Sequence, residues 1–310
     1  MSGSGVQKVI HQRRGMKQAL GFNFYDAFVL VFCVLFALIC FYPMWYVFVA
    51  SVTPYKEYVK GGLMLWPTTG VDFQYYRAIF STKSFLNSMW ISLTKTVIST
   101  VLSLVVTSAM AYGVSKVHVK GMKLINALVV FNLFFNGGLI PQYMLLKDLG
   151  LLRNYWVMVI PSGLNIIYFI IMRNFFSYSV PAELEEAARI DGCNDISVFF
   201  KVVLPLSRPL LAAVGLFIAV INWNDYYSYM MFISNKTQLQ PFAWVLRRML
   251  TDQSMMNQVR NGAVSLGLQL PPPMALRMAT IICAMLPIMC VYPFLQKHFT
   301  SGMTLGAVKE

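Results

Sequence analysis

The sequence predicts an all-α integral membrane protein with six transmembrane helices and both termini in the cytoplasm. Three observations lead there. The 310 residues are 57% hydrophobic and only 12% charged, too few charges to clothe a water-soluble globule of this length. Apolar runs of about 17–25 residues, the length a helix needs to cross a hydrocarbon core, recur along the chain. Lys, Arg, Gly and Pro gather in the segments between those runs. A chain inside lipid must satisfy its backbone hydrogen bonds internally, and long uninterrupted apolar runs do so as helices.

Residues 1–24 form a basic cytoplasmic tail with Lys8, Arg13, Arg14 and Lys17 and no acid. The next run, 25–49, is too long for a signal peptide and has no small-residue cleavage site, so it reads as an uncleaved first span. Pro43, Trp45 and Tyr46 mark its outer third, where aromatics suit the membrane interface. Residues 52–84, with Trp66, Pro67, Tyr75 and Tyr76, form an outer helix-and-loop element, and 25–84 is taken as one unit.

A transmembrane core covers 85–298, and its first span is 85–112. Ser92, Thr96, Ser99, Ser103 and Thr107 recur every three or four residues there, a stripe that lets helices approach closely. Lys95 within the same span must snorkel, pair or face a wet cavity. Lys116, Lys120 and Lys123 make an inside loop. A third span follows at 124–140, where Gly137, Gly138 and Pro141 signal a stop. The fourth is 155–172, and the fifth, 210–233, carries an Asn-Trp-Asn-Asp-Tyr run. Residues 234–273 form a long outer loop, and the sixth span, 274–295, has Pro287 and Pro293 as expected kinks. A cytoplasmic tail, 299–310, ends the chain. Lys and Arg are shared almost evenly between the two sides, so orientation rests on the acid-free first tail and on the segment described next.

Residues 181–209 are the one long charged island in the second half, and Glu183, Glu185, Glu186, Asp191 and Asp195 lie in it. Pro181 suits a first helical position, and the glutamates complement the positive end of that helix. Leu184, Ala187 and Ala188 form a narrow apolar stripe. Gly192 fits a left-handed position past the helix end, and Asn194 or Asp195 can cap a second helix. That helix carries Val198, Phe199, Val202 and Val203 and closes at Leu204-Pro205.

Glu186-Ala187-Ala188, three residues, Gly192, nine residues, then Val202-Val203-Leu204-Pro205 resembles the EAA loop of bacterial ABC-importer permeases. The family usually has Ile where Val202 stands. Segment 134–151 resembles the carbohydrate permeases that handle complex oligosaccharides, and the Trp-Asn-Asp-Tyr run resembles the fifth helix of sugar permeases. Likeness to the maltose-type branch extends from residue 25 to the end. It implies the type I ABC importer permease fold in a bacterial cell membrane. It also implies a heterodimer with a second homologous permease, two ATPase subunits that use ATP and Mg, an extracellular solute-binding protein and an oligosaccharide cargo. By the same resemblance Glu185, Glu186, Ala187, Ala188, Arg189, Asp191, Gly192, Leu204 and Pro205 couple the chain to the ATPase. Loop 234–273 would meet the binding protein, and 302–309 the ATPase pair.

The residues themselves offer no engine. No G-x-x-x-x-G-K-[ST] loop is present to cradle ATP phosphates, and no nucleophile or buried carboxylate relay stands out. Cys33, Cys40, Cys193, Cys283 and Cys290 follow no metal-ligand spacing, so neither metal nor disulfide is expected. The net charge of +13 sits in short loops beside apolar spans, which suits lipid headgroups and excludes nucleic acid. The chain is therefore expected to be no enzyme and to bind no cofactor. Polar and aromatic residues in the spans are the candidates for a substrate path: Asn132, Asn136, Asn165, Asn222, Trp223, Asn224, Asp225, Tyr226 and Tyr229. A buried Lys95–Asp225 pair is a further option. The same machine with an amino acid, peptide or phosphate cargo stays open, as does an ion-coupled carrier.

Overall fold

A computed structural model describes residues 24–60, 65–116, 119–135 and 137–306. Among these the chain is helical throughout, without strands. The helices are α1 (Phe24–Val52), α2 (Tyr55–Lys60), α3 (Gln74–Phe80), α4 (Lys83–Ser115), α5 (Met122–Phe134), α6 (Leu139–Asp148) and α7 (Ile166–Tyr178). After them come α8 (Ala182–Ile190), α9 (Asp195–Leu206), α10 (Arg208–Asn224), α11 (Tyr227–Phe232), α12 (Phe242–Thr251), α13 (Gln253–Ser265) and α14 (Pro273–Gly306).

Four segments are long and apolar enough to cross a membrane: Tyr25–Val52, Lys83–Ser115, Tyr155–Tyr178 and Pro273–Val291. The bent pair α9–α10 makes a fifth candidate, with an 82° turn between its halves, and α5 is apolar but shorter. Helix α4 is the axis of the bundle, with α7 and α10 packed along it, while α1 lies against α14. Its hydroxyl stripe explains the close packing. Ser92, Ser99, Ser103 and Thr107 are fully buried, and Thr96 is half-buried. Opposite them, a Cβ on Gly215 would stand 3.2 Å from Leu104 Cδ1, so α10 approaches α4 as closely as a glycine permits. By contrast Phe28, Phe32, Phe36 and Ile39 of α1 are exposed, a face fit for lipid.

Several boundaries differ from the sequence expectations for local reasons. The third span ends early, because Gly138 takes φ +85° and the chain restarts as α6 with Pro141 inside its first turn. The fourth begins as two 3-10 turns, with Pro161 at the start of the second, and becomes an α-helix only after Asn165 caps α7. The fifth breaks at Asp225 into α10 and α11. Segment 234–273, expected as a long loop, holds two helices, α12 and α13. Pro205 does not end the second island helix; α9 runs on to Leu206 through a π turn at Phe199–Val203.

Candidate coupling element and substrate path

The charged island folds as two helices at one end of the bundle. Helix α8 ends in a Schellman closure: Cys193 N–H donates to Ala188 O and Gly192 N–H to Arg189 O, both at 3.0 Å. Gly192 sits at φ +86°, the left-handed conformation the closure demands. Asn194, not Asp195, supplies the cap of α9, its Oδ1 accepting from Ser197 N at 2.8 Å. Asp195 instead pairs with Arg189 at 2.9 Å and ties the two helices together across the turn. The element is thus closed by local bonds at every joint.

Its inner face is anchored on both sides. Val198, Phe199 and Val203 of α9 are buried with Phe169, Met172 and Phe176 of α7 and Val214 of α10. Glu185 points inward rather than outward: its carboxylate accepts from Lys116 Nζ at 2.6 Å and from the Tyr112 hydroxyl at 3.2 Å. The Tyr112 ring lies between Phe176 and Phe199, with ring centroids 6.2 and 5.1 Å away, and the Lys116 ammonium stands 4.8 Å above it. The cation also complements the negative C-terminal end of α4. Of the residues expected to couple outward, Glu186, Ala187, Arg189, Asp191, Gly192 and Pro205 are exposed. Ala188 and Leu204 turn partly into the core with Glu185. The outward face is apolar as well as charged, since Leu184 and Ile196 are exposed on it and Ile190 is 86% exposed.

The second constellation surrounds the break at Asp225. Lys95, fully buried in α4, donates to Asp225 Oδ2 at 2.6 Å and to Asp225 O at 3.0 Å. An unpaired cation at the middle of a span costs about 2.5–3.5 kcal/mol or more, so the pairing is what makes Lys95 tolerable. Asp225 Oδ1 meanwhile accepts from Ser228 N, in the first turn of α11, at 3.1 Å. Other path candidates are occupied by structure. Asn165 accepts from Ile167 N and Tyr168 N, and Asn222 is buried and donates to Ile218 O. The buried Trp223 indole N–H donates to Ala284 O, and the buried Tyr229 hydroxyl is directed at Ser234 O and Lys236 O. Asn132 and Asn224 are exposed, and Tyr226 is half-buried with the Arg247 guanidinium 4.5 Å above its ring. Asn136 lies outside the described residues. Sequence reasoning missed Tyr112 and Lys116, which are 73 and 69 residues from Glu185, and it missed the position of Arg247. No local spacing could have signalled these contacts.

A bundle of apolar spans around a polar-striped axis, with a rigid charged two-helix element at one end, defines the membrane component of a transport machine. Residues 122–305 match the family described as binding-protein-dependent transport system inner membrane component, and the chain belongs to it. It is a transport permease of the membrane, not an enzyme. The chain is 40% identical over 287 residues to the polygalacturonan/rhamnogalacturonan transport system permease protein YtcP of Bacillus subtilis, covering 92% of this chain and 98% of that one. Protein LplC of the same organism is 41% identical over 270 residues, covering 86% and 88%. A crystal structure described as a bacterial ABC transporter involved in the import of the acidic polysaccharide alginate superposes with TM-score 0.81. That likeness has 29% identity and covers 90% of this chain and 98% of the other.

Proposed function

We propose that this chain is one of two permease subunits of an ATP-driven, binding-protein-dependent oligosaccharide importer, and that residues 181–209 couple it to the ATPase. The observation that carries this reading is the build of the island, rigid within itself, exposed on one face and tied to α4, α7 and α10 on the other. A displacement imposed on Ala187 and Ile190 by a closing ATPase would pass through Glu185 and Lys116 to the end of α4. It would pass through Phe199 and Val203 to α7 and α10. Those helices would then open the cavity toward the outside. ATP and Mg belong to the partner subunits, two ATPases below the membrane, while an extracellular binding protein delivers the cargo. Six spans follow if α5 and the pair α10–α11 each cross; both termini then share one side, the cytoplasmic one if the 181–209 element meets the ATPase. The sugar cargo is supported by the polygalacturonan/rhamnogalacturonan transport named for one relative and the alginate import named for the solved structure. Along the path Asn132 and Asn224 offer exposed polar groups and Tyr226 a half-buried ring beneath Arg247, with Asn165, Asn222, Trp223, Asp225 and Tyr229 as the frame behind them.

The test is extraction of this chain from its native membrane in mild detergent, followed by mass spectrometry and an ATPase assay. The reading expects a second permease and an ATPase in the complex, with hydrolysis stimulated by the sugar-loaded binding protein. Recovery of the chain alone, moving solute under an ion gradient without ATP, would replace the reading with an ion-coupled carrier.

A further inference from the structure

The break at Asp225 is held open by a buried ion pair, and what it displays has its own chemistry. Asn224 ends α10 with an exposed side chain, and its amide N–H donates to Val220 O at 2.8 Å, which leaves the carbonyl oxygen available. Tyr226 precedes α11, and the guanidinium carbon of the exposed Arg247 of α12 stands over its ring, 4.5 Å from the centroid. A guanidinium held over an aromatic face by cation–π attraction still has N–H donors to offer a carboxylate. The neighbouring arginine is already engaged: Arg248 donates to Asp252 Oδ2 through Nε at 3.1 Å and Nη2 at 2.6 Å. Among the described residues no hydrogen bond or ion pair engages the Arg247 guanidinium.

The surrounding segment is cationic for no topological reason. Residues 234–272 carry Lys236, Arg247, Arg248 and Arg260 against Asp252 alone, and Arg248 takes up that one acid. In a segment this short Lys and Arg weigh against a position outside, so insertion does not call for the excess. A neutral sugar gains nothing from it. An anionic one is drawn toward it and offered a guanidinium at its centre.

We propose that Arg247, held over Tyr226 beside Asn224, receives the carboxylate of a uronate unit, and that the cargo is an acidic oligosaccharide. The proposal rests on the importer reading and on its placing residues 234–272 outside. Tyr226 holds the guanidinium, the Lys95–Asp225 pair fixes the backbone that displays Tyr226, and Asn224 is positioned for a sugar hydroxyl.

The test uses the complete transporter with its binding protein in proteoliposomes. Trimers of galacturonate, mannuronate and guluronate are compared with the neutral trimer maltotriose. At least one uronate trimer should be imported with ATPase stimulation. Arg247→Met should reduce that import by about tenfold or more, the scale of a lost charge-assisted contact, with Arg247→Lys in between. Docking of the loaded binding protein to the complex should be unchanged in both variants. Import of maltotriose with no response to any uronate trimer would overturn the acidic class and leave the importer standing. Loss of binding-protein docking in Arg247→Met would make Arg247 a protein contact and overturn the site. A complex that moves none of the four under ATP would likewise overturn the acidic class, whereas absence of a co-purifying ATPase would remove the importer reading beneath it.

Discussion

Replacing either partner of the Glu185–Lys116 pair should uncouple the machine, and the two replacements should not be equal. At 2.6 Å the gross attraction is about 6 kcal/mol with an effective dielectric constant of about 20, and desolvation of both ions offsets much of it. Removing one member of a fully buried pair costs about 3–5 kcal/mol, because the other charge is left buried. The Lys116 side chain is 20% exposed and that of Glu185 only 5%. After Glu185→Gln the ammonium can turn toward water and the glutamine still meets the Tyr112 hydroxyl, so the cost should fall to about 1–3 kcal/mol. After Lys116→Met the carboxylate keeps only that hydroxyl in an apolar surround, and the cost should stay at about 3 kcal/mol or more. The assay is oligosaccharide imported per ATP hydrolysed in proteoliposomes. Lys116→Met should lower this ratio several-fold and Glu185→Gln less, with α8 more open to proteolysis in the same order. Wild-type coupling in Lys116→Met, or a reversed order, would refute the inward role of Glu185.

Three further outcomes follow from local geometry. Gly192→Val should cost about 1–2 kcal/mol through its backbone alone, because φ is +86° and nothing stands within 4 Å of the added Cβ. It should leave the protein in the membrane yet separate ATP hydrolysis from uptake, which a paired uptake and hydrolysis assay would show. Gly215→Val should be worse for stability than Gly215→Ala, since added methyls press on Leu104 from a 3.2 Å start. Overpacking of that kind costs about 1–3 kcal/mol and would be read as a lower Tm in detergent. Glu57 accepts from the backbone N–H of Thr68, and from the side chain and backbone of Thr69, which pushes its carboxyl down from 4.5 to about 2. A depressed carboxyl stabilises the folded form above its unfolded pKa and loses that effect as pH falls through the folded value. Protection of the backbone amides around residues 65–69, taken relative to their intrinsic exchange rates, should therefore be full at pH 5 and be lost only between pH 4.5 and about 2.

Much of this architecture is legible in the chain because bilayer physics writes long messages. The spans beginning at 25, 85 and 274 emerge as long helices, since an apolar run in lipid has little choice but helix. The island was legible too, in type and in its turn, because Gly192 and Asn194 are local signals for local conformations. What was hidden depends on contacts distant in sequence. Three glutamates lie within four residues of α8, and only the packing of α8 against α4 selects Glu185 for Lys116. The break at Asp225 has no Gly or Pro to announce it, because a lysine 130 residues away holds it. The pairing of Lys95 with Asp225 was guessable only because a lone charge in a span needs a partner.

The central claim is that the outward face of the 181–209 element meets the ATPase. The direct measurement is photo-cross-linking in native membranes, with a benzophenone amino acid in place of Ile190, the most exposed large apolar side chain of α8. The account predicts a covalent adduct with the ATPase subunit, whose yield changes when ATP is trapped. An adduct with lipid alone, with the ATPase present in the membrane, would contradict it.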